Sequence, residues 1–363
     1  MIRRGNKMVE SIKKENDVNQ IISNNSEILF IYDAKMCNPN GDPDDENKPR
    51  MDYDRSVNLV SDLRLKRYIR DYLMDYKNQV IFVRKIDKAN VNAKKSLSII
   101  LGIEDKKQIE IADGQVNDFL KKATDVRMFG AIIPDVKFES SKSNTIFTGP
   151  IQFNWGYSLN KITGPMDSNG ITSQFQTGKT SEEEESTKGS GAMGKDFRVA
   201  YSIIAFHGII SSKRAEYTFL TNNDLKLFDE AMIKAIPLEA TTRSKTGQSP
   251  LMYIRIEYNN PEFFIGDLRR YVKLTDQSGN EITFDNTSKL SSPKEYKLDI
   301  SELKKKLEIF GKNISQVHFW KHEDMNIHGW NLGNDGKLKY EVEENGKKEE
   351  KTIEIKDLAK GNN

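Results

Sequence analysis

The sequence predicts an α+β fold, one sheet carrying helices mainly on one of its faces. The first ordered segment is a strand–loop–helix unit, strand-like and helix-like stretches stay intermingled to the end, and no segment repeats another. With 363 residues, 36% hydrophobic and 30% charged, the chain can build one large domain with insertions, or two, under a strongly charged surface.

Residues 1–25 are polar and read as a flexible lead-in. Ile28–Tyr32 (ILFIY) is a continuous apolar run of buried-strand length. Asn38–Arg50 holds too much proline and glycine for helix or strand. Residues 56–77 have helical period, with Leu65, Ile69, Tyr72, Leu73 and Tyr76 on one side and Arg64, Arg67 and Asp71 on the other. Val80–Val83 reads as the next strand, 115–124 as a short helix leading into Asp125–Gly130, and 144–159 as strand-like. Residues 160–196 break the pattern with Gly164-Pro165, Asn169-Gly170, the acidic run Glu182–Glu185 and a glycine-rich stretch to Gly194. That composition predicts an exposed insertion in the form of a long hairpin.

Phe197–Ile210 is β-branched and aromatic, hence strand. A helix spans 222–236, opened by the capping box of Thr221 and Asp224 and striped by Leu225, Phe228, Met232 and Ala235. The polar loop Thr241–Ser249, an alternating strand Leu251–Tyr258, a helix over 301–310 and a strand over 314–320 follow. From Asp335 on the chain is mostly charged and reads as a terminal appendage, giving the divisions 1–25, 26–159, 160–196, 197–334 and 335–363.

Charge and cysteine content exclude several classes. A net charge of +2 does not argue for nucleic acid, but between Arg50 and Ile100 twelve Lys or Arg stand against six Asp, a net of +6, while Asn38–Pro49 is acidic. Cys37 is the one cysteine, so disulfide frameworks and thiolate metal clusters within the chain are excluded. The N-terminus has no apolar core of signal-peptide length and no run reaches a membrane span, so the sequence reads as a soluble cytoplasmic protein with no membrane partner.

Arg64, Lys66, Arg67 and Arg70 form the main basic cluster. Arg64 and Arg67 lie three apart on the polar face, and each guanidinium fork matches phosphate oxygens. The same face also fits an ordinary solvated surface, with Asp71 pairing Arg67 four residues on. Lys66 falls near the apolar side beside Asp62, as a half-buried ion pair or a directed ligand. Asp42, Asp44, Asp45 and Glu46 lack the register of a calcium loop and suit a turn, so no metal is expected there. Thr177-Gly-Lys-Thr180 has Ser173 where a phosphate loop needs glycine. His318, His322 and His328 lack the zinc-helix pattern, and no ordered set for nucleophilic catalysis stands out. In the insertion, Met166 and Phe175 can wedge between bases while Lys161 and Lys179 follow phosphates, or the segment is simply a surface loop. The aromatic ribonucleoprotein motif is absent.

Several stretches taken together do resemble one family: NPNGDPD with the following LRLKR helix, then DVRMFG, TGPIQFNWGYSLN, FRVAYSIIAFHG and TTRSKTGQSPLMYIRIEY. Over about residues 26–275 their order and content are similar to the backbone subunit of type I CRISPR Cascade complexes, nearest to subtype I-B with I-C close by. The resemblance implies a hand-shaped molecule: a ferredoxin-like (RNA-recognition-motif-like) palm, finger insertions, and a thumb hairpin at 160–196. It implies copies stacked head to tail on a CRISPR guide RNA, beside other Cascade subunits, displaying the guide for pairing with target DNA. It assigns guide contacts to Arg50, Arg64, Lys66 and Arg67, with Arg127, Arg243, Lys245 and Gln248 at further motif positions; within the thumb it carries over no single residue, and Met166, Phe175 and Lys179 are thumb contacts on the residue types alone. No catalytic residue, metal or cofactor is implied. The rival readings are a type III relative that cuts RNA with a metal held by Asp33 or by Asp42–Asp45, and an RNA-binding protein outside CRISPR.

Overall fold

The computed structural model describes residues 19–86, 89–90, 92–104, 109–134, 136–138, 145–172, 193–330, 336–344 and 347–360. Among the described residues one sheet takes eleven strands: β1 (Ser26–Cys37), β2 (Met51–Asp52), β3 (Val57–Val60), β4 (Ile151–Phe153), β5 (Gly156–Ser158), β6 (Met166–Thr172), β7 (Met193–Ile210), β8 (Gln248–Tyr258), β9 (Ile314–Lys321), β10 (Lys337–Glu344) and β11 (Lys347–Asp357). The helices are α1 (Asp62–Lys77), α2 (Ala93–Leu101), α3 (Asp113–Lys122), α4 (Thr124–Phe129), α5 (Ser212–Thr218), α6 (Asn222–Glu239) and α7 (Ser301–Ile309). The fold is mixed α+β with a large mixed sheet ordered β10-β11-β9-β8-β1-β7-β5-β3-β2. β9 and β11 run parallel; the other ladders are antiparallel.

β1 lies between β7 and β8, and its unbroken apolar run is explained by cover on both faces. Ile28, Phe30 and Tyr32 pack with Leu65, Ile69 and Leu73 of α1 and Phe228, Met232 and Ala235 of α6. Leu29 and Ile31 belong to a second core with Leu268, Tyr296, Leu298, and Leu303 and Leu307 of α7. The second face is therefore also covered, by residues 259–313, whereas helices were expected mainly on one face. β7 is long enough to pair β1 along one edge and β4, β5 and β6 in turn along the other. A satellite core around Phe82, Leu97, Phe119 and Val126 holds the insertion between α1 and β4.

Several local expectations are corrected. The helix begins at Asp62, not residue 56, because the Ser61 hydroxyl caps it and Val57–Val60 joins the sheet. Tyr76 is exposed and stacks on Tyr72, while Tyr68 takes a core position. Val80–Val83 is no strand: the N–H groups of Phe82 and Val83 donate to the buried Asp125 carboxylate at 2.7 and 3.1 Å. Arg70 donates to the same carboxylate at 2.8 Å, tying the satellite core to α1. Within the turn-rich segment, Gly41–Asp42 and Lys48–Pro49 form a minimal hairpin. Residues from 335 on, expected as an appendage, supply β10 and β11, with Leu338, Ile353 and Ile355 reaching the second core.

Candidate nucleic-acid interface

The turn after β1 is locked to the start of α1. Asn40 Oδ1 accepts from both the backbone N–H and the hydroxyl of Ser61, each at 2.9 Å. One turn into the helix, the Arg64 guanidinium lies 4.2 Å over the ring of Tyr68, and its Nε is buried without a hydrogen-bond partner. Opposite stands the loop before β8. Gly247 adopts φ +111°, and a Cβ there would collide with the carbonyl of Lys35, so the loop closes tightly on β1. Gln248 donates to Tyr68 Oη at 3.0 Å and to the Lys245 carbonyl at 2.9 Å, which leaves its Oε1 buried and unpartnered. Lys245 Nζ donates to the Asn38 carbonyl at 2.6 Å. Asn38 Oδ1 is likewise unpartnered, its amide nitrogen being held by the Asn47 carbonyl at 2.7 Å.

Arg64 and Lys245 thus stand side by side. Burial, and then the Arg64 charge, hold the Lys245 ammonium down to about 8, and no carboxylate figures among the groups acting on it. A pair of cations with no carboxylate partner among the described residues, above orphaned buried polar atoms, favours an anion with hydrogen-bonding groups. The rim continues this chemistry. Arg243 is exposed and 3.7 Å from Asp196. Arg198 donates to Asp196 and to the Met36 carbonyl, both at 2.7 Å, and lies opposite Met166 in the β6–β7 ladder. Met36 and Met166 are exposed, so apolar side chains stand beside the arginines. On the other side of Asn40, Arg50 pairs with Asp42 at 2.8 Å and lies 5.9 Å over the Trp155 ring.

Of the sequence candidates, the structure brings Arg64, Lys245 and Gln248 together, with Arg243 and Met166 toward one rim and Arg50 toward the other. Two are turned inward instead. Lys66 is buried, bonded to Asp62 at 3.1 Å and Gln152 at 2.8 Å. Arg127 forks onto Asp224 at 3.0 and 2.8 Å and also donates to the Leu120 carbonyl at 2.9 Å. Arg67 is half-buried and paired to Asp71 at 2.6 Å. Phe175, Lys179 and the Thr177–Thr180 stretch lie outside the described residues. Tyr68, Asn38 and Arg198 escaped the sequence reading; Tyr68, four residues after Arg64 on a helix, carried a usable signal.

The acidic groups face cations rather than one another: Asp45 pairs Lys48 and Glu46 pairs Lys195, each at 2.6 Å. Asp33 accepts from Tyr201 at 3.0 Å, and burial pushes its carboxyl up to about 6. His318 is buried on β9 beside Glu257, while His328 is 3.8 Å from Asp299. Burial pushes the Cys37 thiol up to about 12, which suits an inert core cysteine.

The family profile of CRISPR-associated protein Cas7 matches residues 24–301. A Haloferax volcanii protein described as CRISPR-associated protein Cas7 is 32% identical over 307 residues, covering 81% of this chain and 86% of that one. Two solved chains are also similar. One, titled a CRISPR RNA-guided surveillance complex, has a TM-score of 0.43 and 13% identity over 82% of this chain and 89% of that one. The other, titled the pre-nicking form of such a complex, has a TM-score of 0.46 and 12% identity over 84% and 96%. On the profile match and the identity to the Haloferax protein, the chain belongs to the Cas7 family of CRISPR-associated proteins.

Proposed function

We propose that this chain binds CRISPR guide RNA by its sugar–phosphate backbone, as the repeated backbone subunit of a Cascade surveillance complex of subtype I-B, and presents the guide for pairing with target DNA. The observation that carries the reading is the Arg64–Lys245 pair, two neighbouring cations at the end of the central sheet for which no salt bridge to a carboxylate is seen among the described residues. Such a site takes phosphates of any sequence, as a protein serving many guides requires. The sheet with α1 and α6 would be the palm, the satellite core a finger, and the β6–β7 hairpin the stem of the thumb. The family's description and the motif resemblance support the same reading. A metal-dependent nuclease role is disfavoured, because Asp33 is engaged by Tyr201 while Asp42 and Asp45 are engaged by Arg50 and Lys48.

The test is assembly. A subunit that covers a long strand by head-to-tail contacts propagates with the strand and does not close on itself. Negative-stain microscopy or light scattering on two RNA lengths should give more copies on the longer one. A fixed dimer at both lengths would refute the backbone role.

Lys245 adds a pH signature. Its ammonium begins to lose its proton near 8, whereas a phosphate beside it favours the charged form, so RNA binding above that pH requires proton uptake. Affinity at fixed ionic strength should fall between pH 7 and 9.5, both being ~1 unit or more from that midpoint, and Lys245→Arg should flatten the fall. In the free protein the sign reverses. With the ammonium depressed from 10.5 to about 8, the unfolded chain binds more protons between those values, so this group's contribution to stability rises with pH there. A profile as steep in Lys245→Arg as in the wild type would remove Lys245 from the site.

A further inference from the structure

We propose that Trp155, flanked by Arg50, is a stacking platform for a nucleobase of the bound single strand; the proposal deepens the RNA-binding reading and rests on it. Trp155 occupies the two-residue connection between β4 and β5, where three hydrogen bonds hold the backbone of Asn154 and Trp155. The Asn154 N–H donates to the His207 carbonyl at 3.0 Å, and the Trp155 N–H donates to Asn154 Oδ1 at 2.8 Å. The Trp155 carbonyl accepts from Arg269 Nη1 at 2.7 Å. Arg269 is itself buried and clamped by both carboxylate oxygens of Asp267, at 2.8 and 2.7 Å.

This held connection therefore carries a tryptophan that is 43% exposed, whereas Trp330 is buried and Trp320 half-buried. Among the described residues no other aromatic ring packs on that indole. Arg50 stands over one side of the ring, 5.9 Å from its centroid and oriented by Asp42, so the platform pairs an aromatic surface with a cation. That pairing is what single-strand binders use: the ring takes a base, the cation its phosphate. The place is continuous with the Arg64–Lys245 cradle. The Arg50 N–H donates to the Asn40 carbonyl at 3.0 Å, and Asn40 in turn holds Ser61 at the start of the helix bearing Arg64. Every base has a π face, so stacking adds affinity without a sequence code, in keeping with a subunit indifferent to its guide.

The test uses a short single-stranded RNA and the same strand made abasic throughout. Trp155→Ala should weaken binding of the intact RNA about tenfold, with an unchanged salt slope, and leave the abasic strand unaffected. Trp155→Phe should restore most of the loss. In a protein carrying Trp320→Phe and Trp330→Phe, intact RNA should quench the remaining Trp155 emission and the abasic strand should not. Equal losses on both strands, or binding of intact RNA with emission unmoved, would overturn the platform while leaving the cradle standing. Quenching that persists on the abasic strand and appears only with multimers would assign the ring to a contact between copies, and also overturn it. Failure of either strand to bind would overturn cradle and platform together.

Discussion

Replacing Arg64 and Lys245 together with alanine should lower affinity for single-stranded RNA by about a hundredfold or more, since charge-assisted contacts each contribute roughly 1.5–3 kcal/mol. The logarithmic salt slope should shrink by about 1.4, two phosphate contacts at roughly 0.7 each. The loss should be the same for unrelated RNA sequences, because phosphates carry no base code. The fold should survive: α1 is capped by Ser61 and its core face is Leu65, Ile69 and Leu73, none of which the change touches. Arg64→Lys should be intermediate, keeping the charge but losing the fork over Tyr68. Filter binding or anisotropy across a salt series measures the slope, with circular dichroism as the folding control. A slope equal to that of the wild type would remove both residues from the phosphate track.

Arg127→Ala should behave in the opposite way, damaging stability and sparing the interface. Its guanidinium neutralises Asp224, which is only 2% exposed and completes the capping box of α6 through Thr221. Removing the arginine leaves that carboxylate buried and unpaired, at a cost of about 3–5 kcal/mol. The Leu120 carbonyl at the end of α3 loses its donor as well. Thermal and urea unfolding should show a marked loss of stability, whereas the salt slope per folded molecule should remain that of the wild type. A variant that melts normally but releases RNA would return Arg127 to the interface.

What the sequence could convey is clearest where partners are near in the chain. The four-residue spacings on α1 point to Asp62 with Lys66 and Arg67 with Asp71, and the same spacing holds the overlooked stacking of Arg64 on Tyr68. Those neighbours send Arg64, Lys66 and Arg67 to different fates although all three lie within one helical turn. The remaining geometry depends on distant residues. Gln248 reaches Tyr68, Lys245 reaches Asn38 and Arg127 reaches Asp224, and no local pattern encodes such encounters. Val80–Val83 has strand composition, yet its amides go to a carboxylate more than forty residues away. β10 and β11 were hidden by their charge. Lys339–Glu350 and Glu341–Lys348 pairs line their outer positions, as suits strands at a sheet's edge, and only Leu338, Ile353 and Ile355 betray the inner face.

The position of β1 between β7 and β8 also sets a timetable. During synthesis its partners arrive late, the first at Met193 and the second at Gln248. At about 5–20 residues per second the strand waits on the order of ten seconds or more for β7 and longer for β8. Throughout that interval Ile28–Tyr32 is an uncharged, β-prone segment with both edges open, the kind of window from which aggregation starts. Ladders closed across such long loops also form slowly, since loop entropy must be met before any contact offsets it. A segment that is fully buried in the finished molecule is therefore left open for a long interval in the nascent one, and slowing or hastening the arrival of β7 and β8 should change soluble yield without changing the stability of the completed sheet.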